Sequence, residues 1–226
     1  MNNNKVVSNV ERATKAEPES AALLAQEKTD DLQWALKAKP SVIAIASVGK
    51  NGEMGIGSNL IWHIKEDMRH FKAMTEHSIV IMGRLTWESL PKRPLPNRIN
   101  IVVTSTKFEG LSEDVSVFQG KGGELYAVDL DAALTFAQSM TKTLFSPANV
   151  VLIGGPALIA SAILKGYMDK IYLTEVDADK PEASAKLDLK LVHDNFVPFI
   201  HTQDHFDESN QVAWKVVGYG RKVVAK

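Results

Sequence analysis

The run VIAIASV at residues 42–48 is continuous, apolar and rich in β-branched side chains. Such a run belongs to a strand covered on both faces, the mark of a parallel sheet. Four more follow, SIVIM (78–82), INIVVTS (99–105), NVVLI (149–153) and KIYLTEV (170–176), with a shorter VSVF at 115–118. Between them, helical spacing appears at 64–75, 84–90 and 131–140, and another helix opens at Pro156, whose fixed φ suits a first helical position. Strands alternating with helices predict an α/β domain, a doubly wound and mostly parallel sheet with helices on both faces. The tail after residue 195 ends in QVAWKVVGYGRKV and predicts an antiparallel hairpin at a sheet edge. GKNGEMGIGSN (49–59) reads as a glycine-rich stretch with no regular element, and PKRPLPN (91–97) as a rigid loop.

Residues 1–40 read as an extension ahead of a domain at 41–226. Residues 1–19 are polar and acidic, without an apolar segment, and do not make a secretory signal. Residues 20–38 place Leu23, Leu24, Leu32, Trp34 and Leu36 among good helix formers, with Ser20 as N-cap and Pro40 as terminator. The expected amphipathic helix would pack on its own domain or on a second copy. The acidity of the extension argues against a mitochondrial transit peptide. No run approaches the roughly 18 apolar residues of a membrane span. Across 226 residues, 26 Lys+Arg against 27 Asp+Glu leave a net charge of −1, which argues against a grip on nucleic-acid backbone. Zero Cys excludes a disulfide framework, thiolate metal sites and a thiol nucleophile. The expectation is a cytoplasmic protein, monomeric unless the extension pairs it.

Helix 64–75 holds the most informative side chain. Ile64, Asp67, Met68, Phe71 and Met74 share one face, while Lys65, Glu66, Arg69, His70 and Lys72 share the other. Asp67 therefore points into an apolar stripe. It either favours the helix dipole from the first turn or is a buried carboxylate kept to pair with a cationic or amidine-like ligand. Trp62 sits at the entrance of this helix, as a core aromatic or as a roof over the same pocket. In MGRLTWES (82–89), Gly83 permits close backbone approach, and Arg84 and Thr86 occupy a first helical turn. A cation there opposes the helix dipole unless an anion such as a phosphate binds beside it. Gly154 and Gly155 in LIGGPAL (152–158) make a second strand-to-helix crossing of the same kind. Arg98, ahead of a buried strand, is either exposed or a bidentate clamp for a carboxylate. Thr174, inside an apolar strand, needs a partner for its hydroxyl, such as Asp67 or a ligand. The six histidines show no metal-ligand spacing.

Trp62, Asp67 and Phe71, then IMGRLTWES (81–89), PLPNR (94–98), VLIGGPAL (151–158) and IYLTEV (171–176), together resemble the dihydrofolate reductases, in the family's order over residues 42–176. The resemblance implies NADPH-dependent reduction of 7,8-dihydrofolate to tetrahydrofolate, by hydride transfer to the pterin, in one-carbon metabolism. It makes Asp67 the one ionisable group of the pterin pocket, with Thr174 in its network and Trp62 holding a water beside it. It puts Met68, Phe71, Leu90, Leu95 and Ile153 around the substrate with Ile45 at the floor, and Arg98 on the glutamate carboxylate. Gly55 to Leu60 becomes the loop that closes over the nicotinamide. For NADPH it implies Ser47 and Met54 near the nicotinamide, Gly83, Arg84 and Thr86 at phosphates, Thr104, Ser105 and Lys121 at the ribose 2′-phosphate, and Gly154 and Gly155 along the cofactor through a cis bond.

The chain departs from that pattern at Ile61, where a Pro is usual, at Pro156, where a third Gly is usual, and at Ile159, where many members have Tyr. The acidic stretch after the seventh strand is not recognisable in DADKPEASAKLDLKLVHDNF (177–196). Two other readings are a pyrimidine or pteridine reductase of the riboflavin-pathway type and a noncatalytic nucleotide-binding scaffold. Asp67 together with Arg98 speaks against the first, and the Asp67, Arg84 and Arg98 set against the second.

Overall fold

The computed structural model describes residues 40–57, 59–105, 117–120, 122–143 and 149–223. The helix expected at 20–38, residues 115–116 of the VSVF run and Lys121 lie outside the described residues. The apolar runs form β1 (Val42–Val48), β4 (Ile79–Gly83), β5 (Ile99–Val103), β8 (Val150–Leu152) and β9 (Lys170–Val176). The intervening helices are α1 (Lys65–Thr75), α2 (Arg84–Ser89), α3 (Leu130–Thr143) and α4 (Pro156–Leu164). With β6 (Val117–Gln119), β7 (Leu125–Ala127), β11 (Phe196–His201), β12 (His205–Asp207) and β13 (Val212–Arg221) they make one sheet ordered β11-β13-β9-β1-β8-β4-β5-β7-β6, β12 pairing with β13. Its centre, from β9 to β7, is parallel. Strand β13 is antiparallel to β9 and forms a hairpin with β12, but β11 and β12 flank it on the outside, and β6 is antiparallel at the opposite edge.

Period-2 alternation sorts the strand residues between two cores. Val42, Ala44, Ile79, Ile81, Ile101, Val150 and Leu152 face one layer, where they pack with Leu134 of α3, Ile159 and Ile163 of α4, and Val192 of α5 (Leu189–Asn195). Ile43, Ile45, Val80, Met82, Val102, Val151 and Ile153 face the other, with Trp87 of α2 and Phe71 and Met74 of α1. Helices therefore cover both faces.

The glycine-rich stretch is not irregular throughout. Glu53–Ile56 (β2) and Asn59–Leu60 (β3) form a hairpin that β10 (Ala185–Lys186) extends to a three-stranded sheet. Four glycines and a polar composition hid it, since its pairing comes from a segment more than a hundred residues downstream. Gly52 makes the entry turn at φ +80° and lies under the Leu187 carbonyl, where an added Cβ would come within 1.9 Å of the oxygen. Leu187 N–H in turn donates to Gly52 O at 2.8 Å. Gly52→Ala is expected to cost about 1–3 kcal/mol through the left-handed φ and this clash. Urea unfolding would read the loss, and Leu187 amide exchange should accelerate more than exchange in β1.

Candidate active site

β1 and β8 pair only from Val42↔Val150 to Ala44↔Leu152, whereas β1 stays paired with β9 as far as Val48↔Glu175. Beyond Ala44 and Leu152 the sheet opens. The connection after β1 runs through α1 on one face towards β4, and that after β8 runs through α4 on the other face towards β9. This is a switch point, and a crevice at the carboxyl ends of the two strands is where such sheets receive ligands. Ile45–Val48 line one side and Ile153–Gly155 the other.

Asp67 projects from the first turn of α1 onto β9 and is only 5% exposed. Its Oδ1 accepts the Thr174 hydroxyl at 2.5 Å, which satisfies the polar group inside that strand. Oδ2 has no hydrogen-bond partner among the described residues. Burial pushes the Asp67 carboxyl above its ordinary value, against the opposing pull of the Thr174 hydroxyl and of His70. Trp62 is buried with Ile64, Val176, Trp214 and Val216, two residues along β9 from Thr174, so Asp67 and Trp62 address the same strand. Ile45, Phe71, Leu90, Leu95 and Ile153 converge in one apolar cluster, on the face that carries α1. Met68 is 38% exposed and Leu60 50% exposed, and neither joins that cluster.

Arg98 follows the loop after α2. Its Nε donates to Thr75 Oγ1 at 3.0 Å and one terminal nitrogen donates to Pro96 O at 3.2 Å, so the guanidinium is aimed while most of its N–H groups stay available. Thr75, completely buried, donates onward to Phe71 O at 2.7 Å. Sequence reasoning passed over Thr75; a hydroxyl at a helix C-terminus directly above an apolar stripe was the available signal.

On the cofactor side, Gly83, Thr86, Gly154 and Gly155 meet closely. Gly83 N–H donates to Gly154 O at 2.9 Å, the Gly154–Gly155 bond is cis, and a Cβ at Gly154 would stand 3.2 Å from Thr86 Oγ1. Ser47 Oγ is buried without a hydrogen-bond partner on the crevice side of β1. A glycine cradle beside two strand-to-helix junctions and a partnerless hydroxyl fit a dinucleotide's phosphates and a polar ring. Two of the expected cofactor residues have neighbours of their own. Arg84 is ion-paired with Glu88 at 2.7 Å, so its charge is partly compensated on its own helix. Met54 is partly buried against the apolar cluster that contains α3 and α4. Thr104 is buried and its N–H bonds Ala127 O at 2.9 Å, while Ser105 is exposed at the end of the same strand. Gly55 is buried in β2, and its carbonyl accepts Ser184 N–H at 3.0 Å. Among the described residues no group of acidic or histidine side chains could hold a metal.

A family model described as dihydrofolate reductase matches residues 41–221. The chain belongs to the dihydrofolate reductase family. It is 31% identical over 181 residues to a dihydrofolate reductase of Neisseria meningitidis serogroup B, covering 80% of this chain and 93% of that one. It is 35% identical over 151 residues to the type 9 dihydrofolate reductase of Escherichia coli, covering 67% and 78%. A solved structure of dihydrofolate reductase from Enterococcus faecalis, complexed with NADP(H) and RAB-propyl, superposes with a TM-score of 0.64 at 25% identity, covering 82% of this chain and 98% of that one. Against the family's pattern, Ile159 is fully buried in the α3–α4 layer, and Pro156 opens α4. The unrecognised 177–196 segment binds the glycine-rich hairpin through Ser184, whose Oγ accepts Gly57 N–H at 2.8 Å.

Because the Thr174 hydroxyl lowers the Asp67 pKa while burial raises it, Thr174→Val should move that pKa further up. A carbon-13 NMR titration of the Asp67 carboxyl group would register the shift, and a downward move would contradict the assignment.

Proposed function

We propose that this chain reduces 7,8-dihydrofolate to tetrahydrofolate with NADPH, using Asp67 as the acidic group that binds the pterin. The observation that carries the reading is a carboxylate buried on α1, fixed through one oxygen by Thr174, on the helix that brings Phe71 into the apolar cluster of Ile45, Leu90, Leu95 and Ile153. A pterin presents an amino group and a ring N–H side by side, and these match an acceptor whose burial leaves it short of donors. NADPH, when bound, supplies the hydride. Ser47, Met54, Gly55, Gly83, Arg84, Thr86, Thr104, Ser105, Gly154 and Gly155 are the residues that would hold it, together with Lys121.

Asp67 orients the ring and, as a buried anion beside it, favours a proton at the pterin N5, which prepares that ring for the incoming hydride. Trp62 and Ile64 close the inner end of the pocket. The hairpin at 53–60 excludes water from the outer end, with Leu60 in its second strand opposite Gly55. Arg98 takes the substrate's glutamate carboxylate at the mouth.

The reading divides the chain into a catalytic domain at 41–226 and an extension at 1–40. The reading keeps the expectation of a cytoplasmic monomer, or of a dimer formed through the extension.

Loss of NADPH absorbance on adding dihydrofolate tests the activity, and no turnover would reject it. Asp67→Asn should lower kcat/KM by about a hundredfold or more at neutral pH. Activity of the variant should recover towards acid pH, as solvent protonates N5 without the carboxylate's help. A variant fully active at neutral pH would overturn the role of Asp67. Removing residues 1–38 should leave kcat and KM unchanged; a folded but inactive remainder would place function in the extension.

A further inference from the structure

Asn100 lies at the second position of β5, opposite Val80 of β4, on the face that carries the apolar substrate cluster. It is 2% exposed, the sort of burial a carboxamide tolerates only when its hydrogen-bonding groups are used. Its Oδ1 accepts Leu95 N–H at 3.0 Å. Its Nδ2 donates to Leu95 O at 2.9 Å and to Arg98 O at 3.1 Å. Both amide hydrogens are spent on backbone carbonyls of the 95–98 loop, and only one orientation of the carboxamide satisfies all three bonds. That loop belongs to no regular element, Pro96 has no N–H to give, and its other backbone tie is His77 N–H to Asn97 O at 2.9 Å.

We propose that Asn100 is a positioning residue for the substrate's carboxylate-bearing tail, acting through Leu95 and Arg98 rather than on the reacting ring. The inference rests on the reading that Arg98 binds that carboxylate. Leu95 is fixed on both its N–H and its C=O by one side chain, which sets where its isobutyl group enters the cluster. Arg98 is fixed at its carbonyl by the same side chain, while Thr75 and Pro96 take up the guanidinium. A bidentate contact tolerates little angular error, so backbone freedom at Arg98 shows directly as lost affinity. The ring end of the pocket, Asp67 with Thr174, shares no hydrogen bond with Asn100 and is unaffected.

Asn100→Asp keeps the shape and the acceptor for Leu95 N–H but turns two donors into an acceptor facing two carbonyls. Dissociation constants are measured by tryptophan fluorescence for dihydrofolate and for a dihydropterin lacking the aminobenzoylglutamate tail. The proteins are wild type, Asn100→Asp, Arg98→Leu and the double variant. The expected result is about tenfold weaker dihydrofolate binding by Asn100→Asp, with the tail-less ligand unchanged and the double variant no worse than Arg98→Leu alone. Equal losses for both ligands, or losses that add in the double variant, would overturn the proposal by reducing Asn100 to general support. If Arg98→Leu binds dihydrofolate normally, the clamp reading fails and the inference falls with it. If Arg98→Leu loses affinity and Asn100→Asp does not, only the inference fails. Should Asn100→Asp not fold, Asn100→Ser, whose shorter side chain cannot bridge the Leu95 and Arg98 carbonyls, carries the same comparison.

Discussion

A carboxylate removed from water survives only where the surrounding fold holds its partners still, and the hydrogen bond from Thr174 to Asp67 expresses that constraint. It joins the first helix to the strand on the far side of the sheet's opening. The helix must bury its apolar stripe and the strand must stay in register with β1 for the two groups to meet. Burial works against the ionised carboxylate and a single hydroxyl returns only part of what water would have supplied. A site that leaves one oxygen of a buried acid without a donor is less stable than an apolar one would be, and that deficit is what a ligand bearing paired N–H groups can fill.

The two layers divide the work. The layer holding α3, α4 and α5 is the larger of the two apolar clusters that flank the sheet and is the structural mass of the domain. The layer beneath α1 and α2 is smaller, with partly exposed Phe71, Met74, Leu90 and Leu95 at its margin. Because neighbouring residues of one strand serve opposite layers, Ile153 can line the crevice while Leu152 anchors the sheet. Gly154 then turns the chain into the glycine cradle. A one-residue slip of β8 would exchange core and site.

The five apolar runs and the periodicity of 64–75 made the parallel centre of the sheet and the burial of Asp67 legible, because both follow from local pattern alone. Thr174 was legible as a polar residue in need of a partner, though the sequence offered a choice of partners. What escaped was set by distant pairing: the β2–β3 hairpin depends on Ala185 and Lys186, and the outer position of β11 depends on β13. Thr75 and Asn100 escaped for another reason. Each is a small polar side chain whose meaning lies in the backbone groups it meets, and neither spacing nor composition records those. The partner of Arg84 escaped because the dipole argument considered the helix end and not Glu88 one turn along.

That pairing separates the two arginines in kind. Arg84 already faces a carboxylate at the surface, where an ion pair contributes little and exchanges readily, so any anion that met it would compete with Glu88. Arg98 is held by a threonine hydroxyl and a backbone carbonyl, neutral acceptors that orient the fork without cancelling its charge. Burial and the more distant Glu76 act on it in opposite directions, and the guanidinium stays a cation throughout. Its fork is therefore oriented by groups that do not pair its charge. A net charge of −1 over 226 residues is silent on such an arrangement.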